Sequence, residues 1–150
     1  MMENKISKQK VSFTHKNISE LHQKTQNWIS EINFIKIEQN FLRELIGSHI
    51  LELCNTNSAF NEAKFLLKGI DHEDKLGHEL IKSIDIHKMN LALLIENIYL
   101  KKEDEFRKDH TELKNEVINY IQNFKYIKKQ VFELVLKIMK KEKQKKMLTK

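Results

Sequence analysis

The chain has 150 residues, 40% hydrophobic and 32% charged, enough apolar material for one core and too little length for two independent ones. It contains no proline and only three glycines, Gly47, Gly69 and Gly77, so folds built on many tight turns, all-β folds above all, are set aside. The formal charge of +6 sits at the ends: residues 137–150 carry seven lysines against Glu142 and residues 1–16 carry four against Glu3, leaving the body at −3.

Residues 1–16 are polar and lack the apolar centre of a secretory signal, so they read as a disordered basic arm on a protein with a cytoplasmic address. From residue 18 an apolar repeat with steps of three and four passes through Ile18, Leu21, Thr25, Trp28, Ile32, Ile35, Gln39, Leu42, Ile46, His49 and Leu53. That spacing predicts one long amphipathic helix, with Asn17 and Glu20 as its capping box. Phe34, Ile37, Phe41 and Leu45 widen its stripe beyond one seam and form a candidate interaction surface.

The stretch Cys54 to Ser58 is rich in residues whose side chains satisfy helix ends, so it reads as a short reversal, with Cys54 an inert residue near a helix end. A second helix returns antiparallel through Leu66, Ile70, Glu73, Gly77, Leu80, Ile84, His87, Leu91, Leu94 and Ile98. Its weak point lies between Gly69 and Gly77, because a glycine inside a helix costs about 1 kcal/mol relative to alanine. Charge interrupts the pattern from Lys101 to Asp109, and Asp109 with Glu112 resembles a second capping box. A third helix then runs through Leu113, Val117, Tyr120, Phe124, Ile127, Val131, Leu134 and Ile138, to about residue 142. Residues 143–150 form a lysine-rich tail expected to fray. The fold class is therefore all-α: three long antiparallel helices in an up-down-up coiled-coil bundle over residues 17–142, or a four-helix bundle if the chain breaks near residues 69–77.

The segment from Trp28 to Glu38, preceded by Leu21, resembles a family of small uncharacterised bacterial helical-bundle proteins. In that family a leucine seven residues before a tryptophan leads into a Trp-Leu-Ser-Glu-Leu-x-Phe-x-x-x-Glu run; the matching positions here are Leu21, Trp28, Ser30, Glu31, Phe34 and Glu38. His78, Asp109, His110 and Leu113 extend the similarity. No activity is established for that family, so the resemblance implies a helical bundle and supplies no mechanism.

Helical bundles house metals, which prompts a search of the seven histidines. None has a glutamate three residues before it, so the paired Glu-x-x-His motif of di-iron bundles is absent, as are His-Glu-x-x-His and Cys-x-x-Cys-His. The single cysteine leaves no disulfide or multi-cysteine metal site within this chain, and no metal or cofactor is expected. No nucleophile stands beside a base and an orienting acid, and the glycines are too sparse to cradle a phosphate, so no catalytic residue is read and the chain is expected not to be an enzyme. Antiparallel pairing about residue 55 or 56 brings Glu31 near His78, a candidate buried polar pair that sets register. Seam histidines His49 and His87 are read as hydrogen-bonded core residues, able to make stability depend on pH. Trp28 is read as a core anchor; Tyr99, Tyr120 and Tyr126 are expected to keep their hydroxyls wet.

Three functional classes remain, the last of them a metal-storing bundle that depends on the Glu31 and His78 region. The first is a non-enzymatic module for self-association or protein–protein contact, with a homo-oligomer or a protein as partner. The second is weak, sequence-blind binding of nucleic acid or another polyanion through the basic ends, with Lys140, Lys141, Lys143, Lys145 and Lys146 as contacts. No stretch approaches the roughly 18 uninterrupted apolar residues of a membrane span, so none is expected.

Overall fold

The structure, a computed structural model, describes residues 15–96 and 103–148. Among these residues all regular structure is helical: α1 is His15–Ser48, α2 is Ile50–Leu53, α3 is Asn57–Ile95 and α4 is Glu103–Leu148. The all-α class holds, with four helical segments packed together. The interruption falls at His49, however, and α3 runs unbroken through Gly69 and Gly77. No described helix is long and apolar enough to cross a membrane.

The chain divides into two compact units, the described parts of Met1–Ile32 with Leu80–Val117, and of Asn33–Glu79 with Ile118–Lys150. In the first, Trp28, Ile32, Leu80, Ile84, Phe106, Leu113 and Val117 are buried around Thr25, His87 and His110. In the second, Leu42, Ile46, Leu53, Ile70, Phe124, Val131 and Leu134 are buried, as are the polar Gln39 and Glu73. Each fully buried aliphatic or aromatic side chain contributes about 1.5–3 kcal/mol relative to an exposed one, so these stripes, more than helix propensity, hold each unit together.

The end of α1 is tightened locally. The His49 amide donates to the Ile46 carbonyl at 3.1 Å, a three-residue step, and the Ser48 hydroxyl donates to the Leu45 carbonyl at 2.8 Å. His49 leaves the helical region at φ −110° and ψ 16°, after which Leu53 and Cys54 donate to the His49 and Ile50 carbonyls and close the single turn of α2. That turn delivers Leu53 to the core, which explains why the apolar repeat continues past a break that periodicity alone does not reveal. The reversal occupies residues 54–56, and the Thr56 carbonyl accepts the first bond of α3, from Phe60 at 3.1 Å.

Both expected capping boxes lie inside helices. The chain is already helical at His15, which places Asn17 in the helix, and α4 begins at Glu103, six residues before Asp109. The reason is visible in α4: Phe106 and His110 carry the buried stripe back from Leu113, while Asp104, Glu105 and Lys108 face solvent. The charged stretch is a solvated helix face. The lysine-rich segment is likewise helical to Leu148. The expected N-terminal arm falls outside the described residues up to residue 14, as do Tyr99 and residues 149–150.

In the second unit, ion pairs record the sense of α1 against α3. The Arg43 guanidinium donates to Asp71 at 2.9 and 3.1 Å and lies 3.6 Å from Asp74, while Lys36 Nζ is 2.8 Å from His78 Nδ1. Numbers rise on α1 as they fall on α3, the antiparallel sense. Lys128 of α4 donates to Glu38 of α1 at 2.8 Å. Such partly exposed pairs contribute roughly 0–1 kcal/mol each, so they set alignment more than stability.

Two glycines in these helices have opposite surroundings. A methyl group at Gly77 would stand 2.6 Å from the Tyr120 hydroxyl, whereas one at Gly47 meets nothing within 4 Å. Gly47→Ala is therefore expected to raise stability by about 0.5 kcal/mol through helix propensity. Gly77→Ala is expected to lower it by about 1–3 kcal/mol, because the methyl group would press on the hydroxyl end of the buried Tyr120 ring. Urea midpoints measure both, and equal gains at the two positions would show that the Tyr120 contact exerts no constraint.

Candidate functional site

Three groups of residues depart from a purely apolar bundle. In the first unit, α3 supplies His87 and α4 supplies Phe106 and His110, which the four-residue step places on one face. His87 Nε2 and His110 Nδ1 are 2.9 Å apart and share one proton between them. The His87 ring stacks on Phe106, with centroids 4.4 Å apart and planes 8° apart, and Trp28 of α1 lies 4.9 Å from His110. Burial holds both imidazoles below the usual histidine range; His110 is pushed down to about 4, with His87, Lys24, Lys114 and Arg107 adding to burial, while Asp109 opposes the shift of His87. Both rings are therefore neutral at neutral pH.

In the second unit, Gln39 of α1, Glu73 of α3 and Tyr120 of α4 are buried polar residues, one from the seam of each long helix. Gln39 Nε2 donates to the Tyr120 hydroxyl at 3.4 Å, a long bond, and burial pushes the phenol up to about 12. Gln39 Oε1 and Glu73 Oε2 are buried with no hydrogen-bond partner among the described residues. Burial raises the Glu73 carboxyl above its ordinary range, with His72 opposing weakly. Apolar seam residues would be expected to stabilise these positions, since an unpaired buried polar group costs about 1–3 kcal/mol. These positions depart from best packing.

The third group is the face of α1 carrying Phe34, Ile37 and Phe41, whose exposures are 61%, 66% and 56%. Leu45 continues it half-buried. The seam residues Ile35, Gln39 and Leu42 of the same helix are all buried, so the stripe lies on a different face from the core.

Other expected residues are placed differently. Glu31 and His78 are both exposed, and His78 lies beside Lys36 and 3.8 Å from Asp74, so the expected buried pair is not formed. The reason is positional: each residue flanks a seam position, Ile32 and Gly77 respectively, and the α1 to α3 register falls about three residues later than pairing about residue 55 implied. Tyr120 is buried and bonded, contrary to the expectation of a wet hydroxyl, while Tyr126 is exposed as expected. Trp28 is in the core. Lys140, Lys141, Lys143, Lys145 and Lys146 are exposed and, at about 100° per residue, form a collar around α4, not a single face. Cys54 is exposed, with its thiol free. No group of three or more histidine, cysteine, aspartate or glutamate residues suited to a metal ion occurs among the described residues.

Periodicity identified His87, Glu73, Gln39 and Tyr120 as seam residues but missed Phe106 and His110. The signal was there: 106, 110, 113 and 117 follow the same steps of four and three, hidden by the charge between them. Comparison of the chain with family models, curated proteins and solved structures finds no match.

Proposed function

We propose that this chain is a non-enzymatic helical-bundle protein, three long helices arranged up-down-up, that works by self-association or contact with a protein partner through the Phe34, Ile37 and Phe41 face of α1. The observation that carries this reading is the exposure of those three large side chains, each above half, at helical spacing on one face. Isolated apolar residues on a surface need no explanation, but a row of this kind loses favourable burial unless another surface covers it. Helix-to-helix docking uses such i, i+3, i+7 anchors. The resemblance of the Trp28 segment to bacterial helical-bundle proteins supports the architectural part.

The test is light scattering coupled to size exclusion from micromolar to millimolar concentration, on the full chain and on the triple variant Phe34→Ser, Ile37→Ser, Phe41→Ser. A dimer or larger assembly that the variant loses, with helical content retained, is the expected result. A monomer at every concentration, unchanged by the variant, removes self-association. The lysine collar supports a second reading, sequence-blind polyanion binding. A short DNA duplex that co-elutes at low salt and separates at high salt is its expected signature, and the absence of co-elution removes it.

A further inference from the structure

Between α3 and α4 in the second unit lies a groove of about 380 Å³, a volume within the range of small-ligand sites. Its apolar surface comes from Phe65, Leu66, Tyr126 and Ile127, and its polar groups are Glu62, Glu73, Asn123 and Gln130. Phe65 and Tyr126 are 76% and 65% exposed, aromatic faces held in water by no visible packing need. No lysine, arginine or histidine lines the groove. Its one deeply buried polar group, Glu73, is 4% exposed, and its Oε2 has no hydrogen-bond partner among the described residues.

A second feature is independent of the first. Gly69 lies in the groove, and a methyl group there would meet only Ile127 Cδ1, at the ordinary contact distance of 3.5 Å. Packing therefore does not require this glycine, as it requires Gly77, yet a glycine in mid-helix weakens the helix. What its absent side chain provides is room beside Glu73.

We propose that the groove binds a small organic cation, an ammonium group carried on an apolar body, with the ammonium donating to Glu73 and the body lying along Phe65 and Tyr126. The chemistry follows from the lining. A carboxylate that accepts from an ammonium makes a charge-assisted bond that water or a neutral alcohol does not equal, and it satisfies the oxygen left without a partner. Aromatic faces attract cations and cover an apolar body equally well. An anion would meet Glu62 and Glu73, and no basic side chain lines the groove to offset them. Burial raises the Glu73 pKa, so the empty groove disfavours the carboxylate and an arriving cation restores it. None of the α1 stripe residues takes part, so this inference and the proposed interaction surface fail independently.

The test is a titration of full-length, isotopically labelled protein followed by amide resonances, with 4-phenylbutylammonium, 4-phenylbutanol and 4-phenylbutyrate as probes. The ammonium is expected to shift the Gly69 and Tyr126 resonances with a Kd below about 1 mM, and the alcohol and carboxylate to bind at least about tenfold more weakly. Glu73→Gln keeps the shape of the side chain and is expected to bind the ammonium no better than the alcohol. Tyr126→Ala alters an exposed residue and is expected to weaken the ammonium about threefold, which keeps the test decisive if Glu73→Gln does not fold. Ammonium binding that is absent, matched by the alcohol, or unchanged in folded Glu73→Gln overturns the proposal.

Discussion

Lowering the pH from 7 to 4 is expected to remove stability, by at most about 3 kcal/mol, through His110, as its pKa falls from the ordinary 6.5 to about 4 on folding, chiefly by burial and partly by repulsion from His87. Between those values the unfolded chain holds a proton on this ring that the folded chain refuses. Stability is thus complete at neutral pH, declines as pH falls through this window and levels off below it. His87 adds to the loss with the same sign, since burial lowers its pKa too. Glu73 acts in the opposite direction: its raised pKa makes protonation favour the folded state, so its contribution grows as pH falls. Denaturation midpoints at successive pH values, for the native chain and for His110→Gln, separate these effects. The variant is expected to lose most of the slope between pH 6.5 and 4; parallel curves for the two proteins would show that the histidine pair does not govern acid stability.

Phe106→Ala is expected to cost about 3–5 kcal/mol, a large part of the stability of a domain this size. The side chain is 1% exposed and lies flat against His87, so truncation leaves a cavity and removes a wall of the histidine pair at once. Water entering that cavity would solvate the imidazoles. The variant is accordingly expected to show a smaller acid loss per pH unit as well as a lower urea midpoint. The same truncation at the exposed Phe34 should change stability by no more than about 0.5 kcal/mol. Equal effects at the two positions would mean that the stripe on α1 is also a packing surface.

How far these features could be read in advance depends on what carried the signal. Steps of three and four identified the buried face of all three long helices, because burial on one face is what such spacing encodes; Gln39, Glu73 and His87 were placed on the seam by spacing alone, despite their polarity. Helix ends were poorly read. Asn17 and Asp109 have the composition of caps, yet capping contributes only about 1 kcal/mol and is outweighed when a buried residue such as Phe106 lies further upstream. Gly69 and Gly77 suggested a break, but packing on both sides of each glycine carries the helix through. The histidine pair and the α3 to α4 groove depend on which residues face each other across helices. Periodicity within a helix does not contain that register: a three-residue error in the α1 to α3 pairing was enough to put Glu31 beside His78 in place of Lys36.

The contact between Gly77 and Tyr120 bears on that problem of register. A seam that repeats every seven residues is like a ruler with identical marks, and two such rulers fit nearly as well when one is slid along by a full repeat. Here the mark at Gly77 has no side chain. If α4 slid one repeat along α3 within the second unit, the Tyr120 ring would be carried from the space above Gly77 onto Ile70, with its hydroxyl away from Gln39. A long helical chain is prone to exchange segments with its neighbours in staggered alignments, and the notch at Gly77 makes each of those alignments costly while leaving the correct one undisturbed.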